Sequence, residues 1–474
     1  MIESDEVEIP STVHHIHLIA VCGTGMGALA CMLKEMGYSV TGSDQHVYPP
    51  MSEFLDARGI PVFDGYQADN LKQPPDLVVV GNAVSRDNPE VQAMLSMKLP
   101  YCSMPRAVNR FAAKGKRQIV VMGTHGKTTT SSFIAWLLQC AGLDPSYLIG
   151  GIVSNFKSNY RAGKGDWIVL EGDEYDTAFF DKGPKFLHYT PAVAVLTSIE
   201  FDHADIFDDL EHVKSAFGRM LSRLPDNAVL MAYDRDANLA DVLSGFEGHT
   251  IRYGLHPESD WRLGTMRIQP PETCFDVLKG KQRPVEFKTR MIGMHNLCNL
   301  LSGIAVGRHL DIDIDIISRA LVTFQGVRRR QEIRGVKNDV VVLDDFAHHP
   351  TAVKATVEGV KQFYGDRRVI AVFEPRTNSS RRKVFQSVYP ASFDAADMIC
   401  IRQAGLLDKI PVDQRFSSEK LVADLVSRGK EAYFFQDTEG IIDHLVHIAC
   451  PGDVVLIMSN GGFDNIHIRL LAAL

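Results

Sequence analysis

The sequence predicts an α/β protein of three domains, each built on a mainly parallel sheet. Two observations carry this. The chain has 474 residues, and at roughly 100–200 residues per domain that is room for two to four. Three times the sequence restarts with a short β-branched run, a glycine-rich or acidic turn and an amphipathic stretch. An apolar strand feeding a loop and a helix is the unit from which parallel sheets grow.

The first restart is His17–Val21, CGTGMG and Ala28–Met36; the second is Gln118–Met122, GTHGKT and Ser131–Ala141. The third is Val340–Leu343, DDFAHHP and Thr351–Phe363. Further strands are expected at Leu77–Val80, Trp167–Leu170, Val193–Thr197, Val369–Phe373 and Val454–Met458. Domains are expected at 1–115, 116–325 and 326–474, with KGKRQ at 114–118 and FQGVRRRQE at 324–332 as linkers. The Gly- and Pro-rich region 245–290 predicts antiparallel additions to the middle domain. No repeat of solenoid length is visible.

Composition narrows the class. Apolar residues are 45% and charged residues 23% of the chain, which excludes a disordered polymer. A net charge of -8 gives no polyanion footprint, so no nucleic-acid partner is expected. The acidic start MIESDEVEIPST is unlike a signal peptide. The longest apolar runs, such as Val454–Met458, fall far short of the ~20 residues that span a bilayer. No membrane partner and a cytoplasmic location are expected. Eight scattered cysteines form no C-x-x-C pair, which predicts reduced thiols rather than a zinc cluster or disulfide framework.

Gly123, Thr124, His125, Gly126, Lys127, Thr128 and Thr129 sit between an apolar strand and a helix, the context of a phosphate loop. The glycines let backbone N–H groups converge on phosphate oxygens, and the helix terminus adds positive potential. Lys127 supplies a point charge for the β- and γ-phosphates, and the Thr128 hydroxyl can ligate Mg2+. The full pattern has a glycine five residues before Gly126, where Val121 stands, so the loop is a shortened variant. Glu171, Asp173 and Glu174 follow one strand; Glu200, Asp202, His203 and Asp205 follow another. Strand carboxyl ends line the crevice of a parallel sheet, so these acids are expected near the loop. An earlier loop, Gly23, Gly25, Gly27 and Ala28, is followed by Asp44 at the end of the next strand. Alone it reads as a dinucleotide fingerprint. A dehydrogenase, however, leaves the loop at 123–129 without a task.

Together these motifs resemble the Mur ligase family, ATP-dependent amide-forming enzymes of peptidoglycan metabolism. The resemblance spans essentially the whole chain: VCGTGMGALA with GSD at 42–44, GNAVSRDNPE at 81–90, GTHGKTTT at 123–130, EGDEYD at 171–176, EFDHAD at 200–205, HNLCN at 295–299, GVRRR at 326–330 and DDFAHHP at 344–350. It implies a Rossmann-like amino-terminal domain, a central P-loop ATPase domain and a Rossmann-like carboxy-terminal domain. The two glycine loops are similar to the branch that acts on UDP-N-acetylmuramate. Within it, one enzyme adds L-alanine, and a recycling enzyme adds the intact murein tripeptide L-alanyl-γ-D-glutamyl-meso-diaminopimelate. Residues 171–191, FEPRTNSSRR at 373–382 and IMSNGGFDNIH at 457–467 resemble the tripeptide-adding enzyme.

The resemblance also implies roles. Gly25 and Gly27 lie under the UDP diphosphate, with Asp44 on the uridine side. Gly123–Thr129 hold the ATP phosphates through Lys127; Thr128 and Glu171 ligate Mg2+, and His203 lies near a second metal. Asn296 and Asn299 serve the adenine, Arg330 the γ-phosphate, and Asp345 the ATP ribose with His348 beside it. Arg376 and Asn378 hold the peptide, and Arg381 and Arg382 are expected on a following helix. Lys127, Glu171, His203 and Arg330 form the implied catalytic set. Many family members carry a carbamylated lysine where this chain has Ala216–Arg219, so a second metal held in that way is not expected. The alternatives are the L-alanine ligase and, in another class, a nucleotide-binding sensor without turnover. Intact Lys127, Thr128 and Glu171 argue against the sensor.

Overall fold

The computed structural model describes residues 8–47, 51–202, 204, 206–405 and 407–474. They separate into two compact units. The first runs through Glu200 and adds Glu211–Trp261 and Ser302–Ala320; the second comprises Phe201–Leu210, Arg262–Leu301 and Leu321–Leu474.

The first unit holds two sheets. Strands β1 (His15–Ile19), β2 (Ser39–Asp44), β3 (Val62–Asp64), β4 (Leu77–Val80) and β5 (Tyr101–Ser103) are all parallel, in the order β3-β2-β1-β4-β5. The order reverses at β1, and such a switch point opens a crevice at the strand's carboxyl end. The first glycine loop sits there, leading into helix Thr24–Glu35.

The second sheet uses β6 (Arg117–Met122), β7 (Ser146–Val153), β8 (Ser158–Arg161) and β9 (Trp167–Gly172). A small antiparallel hairpin, β10 (Asp176–Ala178) and β11 (Asp181–Pro184), follows. Then come β12 (Pro191–Leu196), β13 (Val229–Tyr233) and β14 (Thr250–Gly254). Within this unit their order is β14-β13-β12-β6-β9-β7-β8, parallel except for β7 with β8. The phosphate loop leaves the end of β6. Its neighbours β9 and β12 end at Gly172 and Leu196, which brings the following acidic segments to the same edge.

The second unit contains β15 (Trp261–Gln269) from Arg262 onward, β16 (Glu272–Lys279) and β17 (Val285–Thr289), with β16 and β17 antiparallel. Its main sheet has β18 (Glu332–Lys337), β19 (Val340–Asp345), β20 (Val369–Phe373), β21 (Met398–Arg402), β22 (Glu431–Phe435) and β23 (Val454–Met458), in the order β18-β19-β23-β20-β21-β22. Only β18 runs antiparallel to its neighbour. Alternate residues of β19, β20 and β23 enter two separate cores. Leu343, Phe373 and Leu456 face one side; Val342, Val372 and Ile457 face the other. Burial on both faces explains why these strands read as unbroken apolar runs.

Three expectations change. Residues 250–254 are parallel to β13, so the antiparallel region begins only at β15. Buried Tyr253 fixes that strand, its hydroxyl donating to the Leu196 carbonyl at 3.2 Å. The first linker is shorter than KGKRQ, because Arg117 and Gln118 pair with Trp167 and Ile168 of β9 and the Arg117 guanidinium lies 4.1 Å from the Trp167 ring centre. Arg381 and Arg382 are not helical. Thr377 and Ser380 exchange bonds, the Thr377 N–H to Ser380 Oγ and the Ser380 N–H to Thr377 Oγ1, and close a turn that stops a helix forming there.

Candidate active site

Gly123 has φ +127°, and a Cβ there would lie 2.3 Å from Thr197 Oγ1 and 2.8 Å from the Ser198 backbone. Gly126, at φ +81°, precedes helix Lys127–Cys140 and gives it no side-chain cap. The helix Thr24–Glu35 likewise starts at an uncapped glycine, Gly23. Helices starting at Pro89, Ala237 and Pro350 are capped by Asn88, Asp236 and His349. The two glycine loops therefore leave first-turn amides for an anion, where the helix dipole favours one. Gly123→Ala is expected to lower the thermal midpoint through a loss of about 2–4 kcal/mol, since it adds both backbone strain and a clash.

The loop is stitched to the segment after β12. The Thr124 N–H donates to the Ser198 carbonyl at 2.9 Å, and the His125 N–H to Ser198 Oγ at 2.9 Å. The Glu200 N–H donates to Thr124 Oγ1 at 2.9 Å, and His125 Nε2 lies 3.4 Å from the Glu200 carboxylate. The Lys127 ammonium donates to the carbonyls of Gly123 at 2.5 Å and Thr124 at 3.3 Å, and to Glu174 Oε2 at 2.7 Å. Burial works against its charge, but the carboxylates of Glu174, Asp173 and Glu171 outweigh burial and hold the lysine above its usual pKa.

Thr128 Oγ1 donates to Glu171 Oε1 at 2.8 Å, and the Gly150 N–H donates to Glu171 Oε2 at 2.7 Å. Gly150 lies where the β7–β8 register slips, which turns its N–H away from the ladder and toward the acid. Burial, with Asp173 nearby, pushes the Glu171 carboxyl above the usual range. Thr128 and Glu171 thus present hard oxygen donors side by side, a set that fits Mg2+ with few protein ligands.

At the first glycine loop, a Cβ on Gly27 would meet Met51 Sδ at 2.7 Å, and one on Gly25 would meet Met104 Cε at 3.2 Å. Both are packing glycines that bring the helix start close to its neighbours. The Asp44 carboxylate accepts from the Cys22 N–H at 2.9 Å and the His46 N–H at 3.2 Å, so it braces the loop.

The second unit gathers the other expected nucleotide residues. Asn296 is buried, donating to the Ile292 carbonyl at 2.8 Å and Gln331 Oε1 at 3.0 Å; Asn299 donates to Asn296 Oδ1 at 3.4 Å. Arg330 lies over the Phe346 ring at 4.7 Å, between Arg329 and Gln331, which take φ of +61° and +51°. Strain at both neighbours marks a backbone held for a purpose. The Arg329 guanidinium donates to the carbonyls of Ser459 at 2.7 Å and Gly461 at 2.6 Å. Asp345 accepts from the N–H groups of Gln331 at 2.8 Å and Ala347 at 2.7 Å, and burial pushes its carboxyl up. His348 Nδ1 bonds the Phe346 carbonyl at 2.9 Å, and its Nε2 lies 3.8 Å from Asp202. His203, expected near a second metal, lies outside the described residues, as does Asp205. Lys214, the lysine of the helix Leu210–Leu221, is paired with Glu211 and Asp241.

His295 was missed by sequence reasoning. Burial and the nearby Arg330 charge lower its pKa to about 4. A histidine kept neutral in the fold contributes stability above its unfolded pKa of ~6.5. That contribution is lost as pH falls toward 4, so His295→Gln is expected to flatten the acid limb of a stability–pH curve between those values.

Arg376 and Asn378 follow β20. Arg376 Nη1 lies 4.0 Å from Glu374 Oε2, and Glu374 is itself fixed by Arg402 at 2.7 Å and Ser459 at 2.5 Å. A Cβ on Gly461 would lie 2.4 Å from the Arg376 side chain, so the loop after β23 does shape this arginine's surroundings. Phe463, Asp464 and Asn465 all have positive φ, a strained run next to the same loop. Asn378 accepts from Arg381 Nη2 at 2.8 Å. Glu374 and Arg402 are partners that sequence reasoning did not assign, because each is set by contacts distant in the chain; Glu174, expected near the phosphate loop, pairs there with Lys127.

Residues 15–116 match the Mur ligase family catalytic domain, 121–307 the Mur ligase middle domain and 329–461 the Mur ligase glutamate ligase domain. The UDP-N-acetylmuramate–L-alanyl-γ-D-glutamyl-meso-2,6-diaminoheptandioate ligase of Escherichia coli is 38% identical over 97% of this chain and 98% of its own. The UDP-N-acetylmuramate–L-alanine ligase of Endomicrobium trichonymphae is 32% identical over 94% and 96%. A solved murein peptide ligase from Psychrobacter arcticus superposes with a TM-score of 0.72 at 33% identity, covering 97% of this chain and 98% of that one. With its motifs in order and such relatives along nearly its full length, the chain belongs to the Mur ligase family.

Proposed function

We propose that the chain is an ATP-dependent ligase joining UDP-N-acetylmuramate to the tripeptide L-alanyl-γ-D-glutamyl-meso-diaminopimelate in peptidoglycan recycling, in the cytoplasm where ATP is available. The observation that carries the choice is the 38% identity to the tripeptide-adding relative against 32% to the L-alanine ligase. Arg376 and Asn378 then hold the peptide, the guanidinium gripping a carboxylate in two-pronged fashion.

In this reading Gly25 and Gly27 let the first glycine loop approach the UDP diphosphate, braced by Asp44. The uncapped first-turn amides of helix Lys127–Cys140 face the ATP phosphates, with the loop from Gly123 to Gly126 shaping their approach, and Lys127 places its charge at the β- and γ-phosphates. Asn296 and Asn299 serve the adenine, Asp345 the ribose, and Arg330 the γ-phosphate, with His348 beside them. Thr128 and Glu171 would hold Mg2+, which when bound screens the repulsion between two anionic reactants. The lactoyl carboxylate attacks the γ-phosphorus, ADP leaves, and an acyl phosphate forms. The neutral L-alanyl amine then attacks the carbonyl; its proton is lost and inorganic phosphate departs, leaving the amide. Lys127 and Arg330 stabilise the charge that gathers at the transferred phosphoryl group.

The test is phosphate release with ATP, Mg2+ and UDP-N-acetylmuramate, offering tripeptide or L-alanine. Release with tripeptide alone, with a product heavier by the joined peptide, is expected. Release with L-alanine alone overturns the substrate assignment, and release with neither overturns the ligase reading.

A further inference from the structure

The acidic turn after β9 contains a carboxylate whose setting the proposed reaction leaves unexplained. Glu174 is 2% exposed, and its Oε1 is buried without a hydrogen-bond partner. A buried, half-satisfied carboxylate is costly, and such groups in folded proteins call for an explanation. Its other oxygen holds the Lys127 ammonium at 2.7 Å. An ammonium has three donors, and Lys127 directs them to Gly123 O, Thr124 O and Glu174 Oε2. The lysine is bent back over its own loop, and the only charged group among these three acceptors is Glu174. The neighbouring acids are engaged elsewhere, Glu171 by Thr128 and Gly150 and Asp173 by Lys185 at 3.4 Å.

We propose that Glu174 is a positioning residue that competes with the nucleotide for Lys127, so that the polyphosphate must displace it from the ammonium and ATP affinity is set by that exchange. This rests on the reading of 123–129 as the ATP phosphate loop. A carboxylate and a phosphate oxygen cannot both keep the same N–H, and the approaching phosphates also repel Glu174. The apparent affinity is then the intrinsic one reduced by the fraction of molecules in which the lysine is available. The conservative variant Glu174→Gln keeps the shape and removes the charge, while Asp173 and Glu171 still face the lysine.

Binding of a non-hydrolysable ATP analogue is measured by calorimetry for the wild type and Glu174→Gln. The expected result is tighter binding in the variant by about tenfold, the reduction removed if the lysine is available in about one molecule in ten. KM for ATP falls in step, while KM for the tripeptide is unchanged. A crystal structure of the wild-type complex supplies a readout that does not depend on the variant folding, with the Lys127 ammonium on phosphate oxygen and off Glu174. Unchanged or weaker analogue binding by Glu174→Gln, or a Lys127–Glu174 pair intact in the complex, overturns the proposal. Failure of the wild type itself to bind the analogue overturns the ATP reading and this proposal with it; the wild-type arm separates the two.

Discussion

Replacing Lys127 with methionine is expected to lower kcat by about 10²–10³-fold, the scale of losing one preorganised donor to developing charge. The same change should cost about 3–5 kcal/mol of stability, because it leaves Glu174 as an uncompensated buried charge. Those two effects have different origins and can be separated. In Lys127→Met with Glu174→Gln no charge is stranded, so the thermal midpoint should recover most of the loss. Turnover should not recover, because nothing then meets the transferred phosphoryl group. Thermal unfolding and phosphate release on the single and double variants check both halves. Recovery of turnover in the double variant would mean that the single variant failed by misfolding, and that Lys127 does no electrostatic work in the reaction.

The strands Leu77–Val80, Val369–Phe373 and Val454–Met458 were legible to the residue, because double-sided burial writes them as uninterrupted apolar runs. The start of the helix at Pro350 was legible to within one residue of the expected Thr351, but two earlier helix starts were not. The helices at Thr24 and Lys127 each begin four residues before the expected Ala28 and Ser131, and the glycines that precede them carry no capping side chain. The feature that hides these starts from the sequence is the one that leaves their amides for phosphate. The phosphate loop was legible as a motif, since Gly123 and Gly126 stand where positive φ is required. The Lys127–Glu174 pair was not, because it joins residues 47 apart and EGDEYD offers four acids with nothing local to choose among them. Arg381 and Arg382 were misplaced for the opposite reason: a purely local Thr377–Ser380 exchange overrode an otherwise helix-compatible stretch.

Arg376→Met is expected to raise KM for the tripeptide by about 10–100-fold with a smaller change in kcat, as removal of one charged hydrogen-bonding group from a substrate remote from the bond being made. The structure gives the reason for expecting a binding effect. Arg376 is half-exposed, hangs from the end of β20, and is steadied rather than neutralised by Glu374 at 4.0 Å, whose two oxygens already serve Arg402 and Ser459. Arg376→Lys should rescue poorly, since a single ammonium cannot reproduce a two-pronged grip on a carboxylate. ATP and UDP-N-acetylmuramate should bind as before. Initial rates against tripeptide concentration check the first claim, and inhibition by the dipeptide L-alanyl-γ-D-glutamate locates the contact. If Arg376 holds the diaminopimelate end, dipeptide inhibition is the same in wild type and variant, because the dipeptide never reaches the arginine. If Arg376 holds the glutamyl carboxylate instead, dipeptide and tripeptide lose affinity together, and selection of the third residue must be sought among the Arg402 and Asp464 side chains that meet at 2.7 Å beside it.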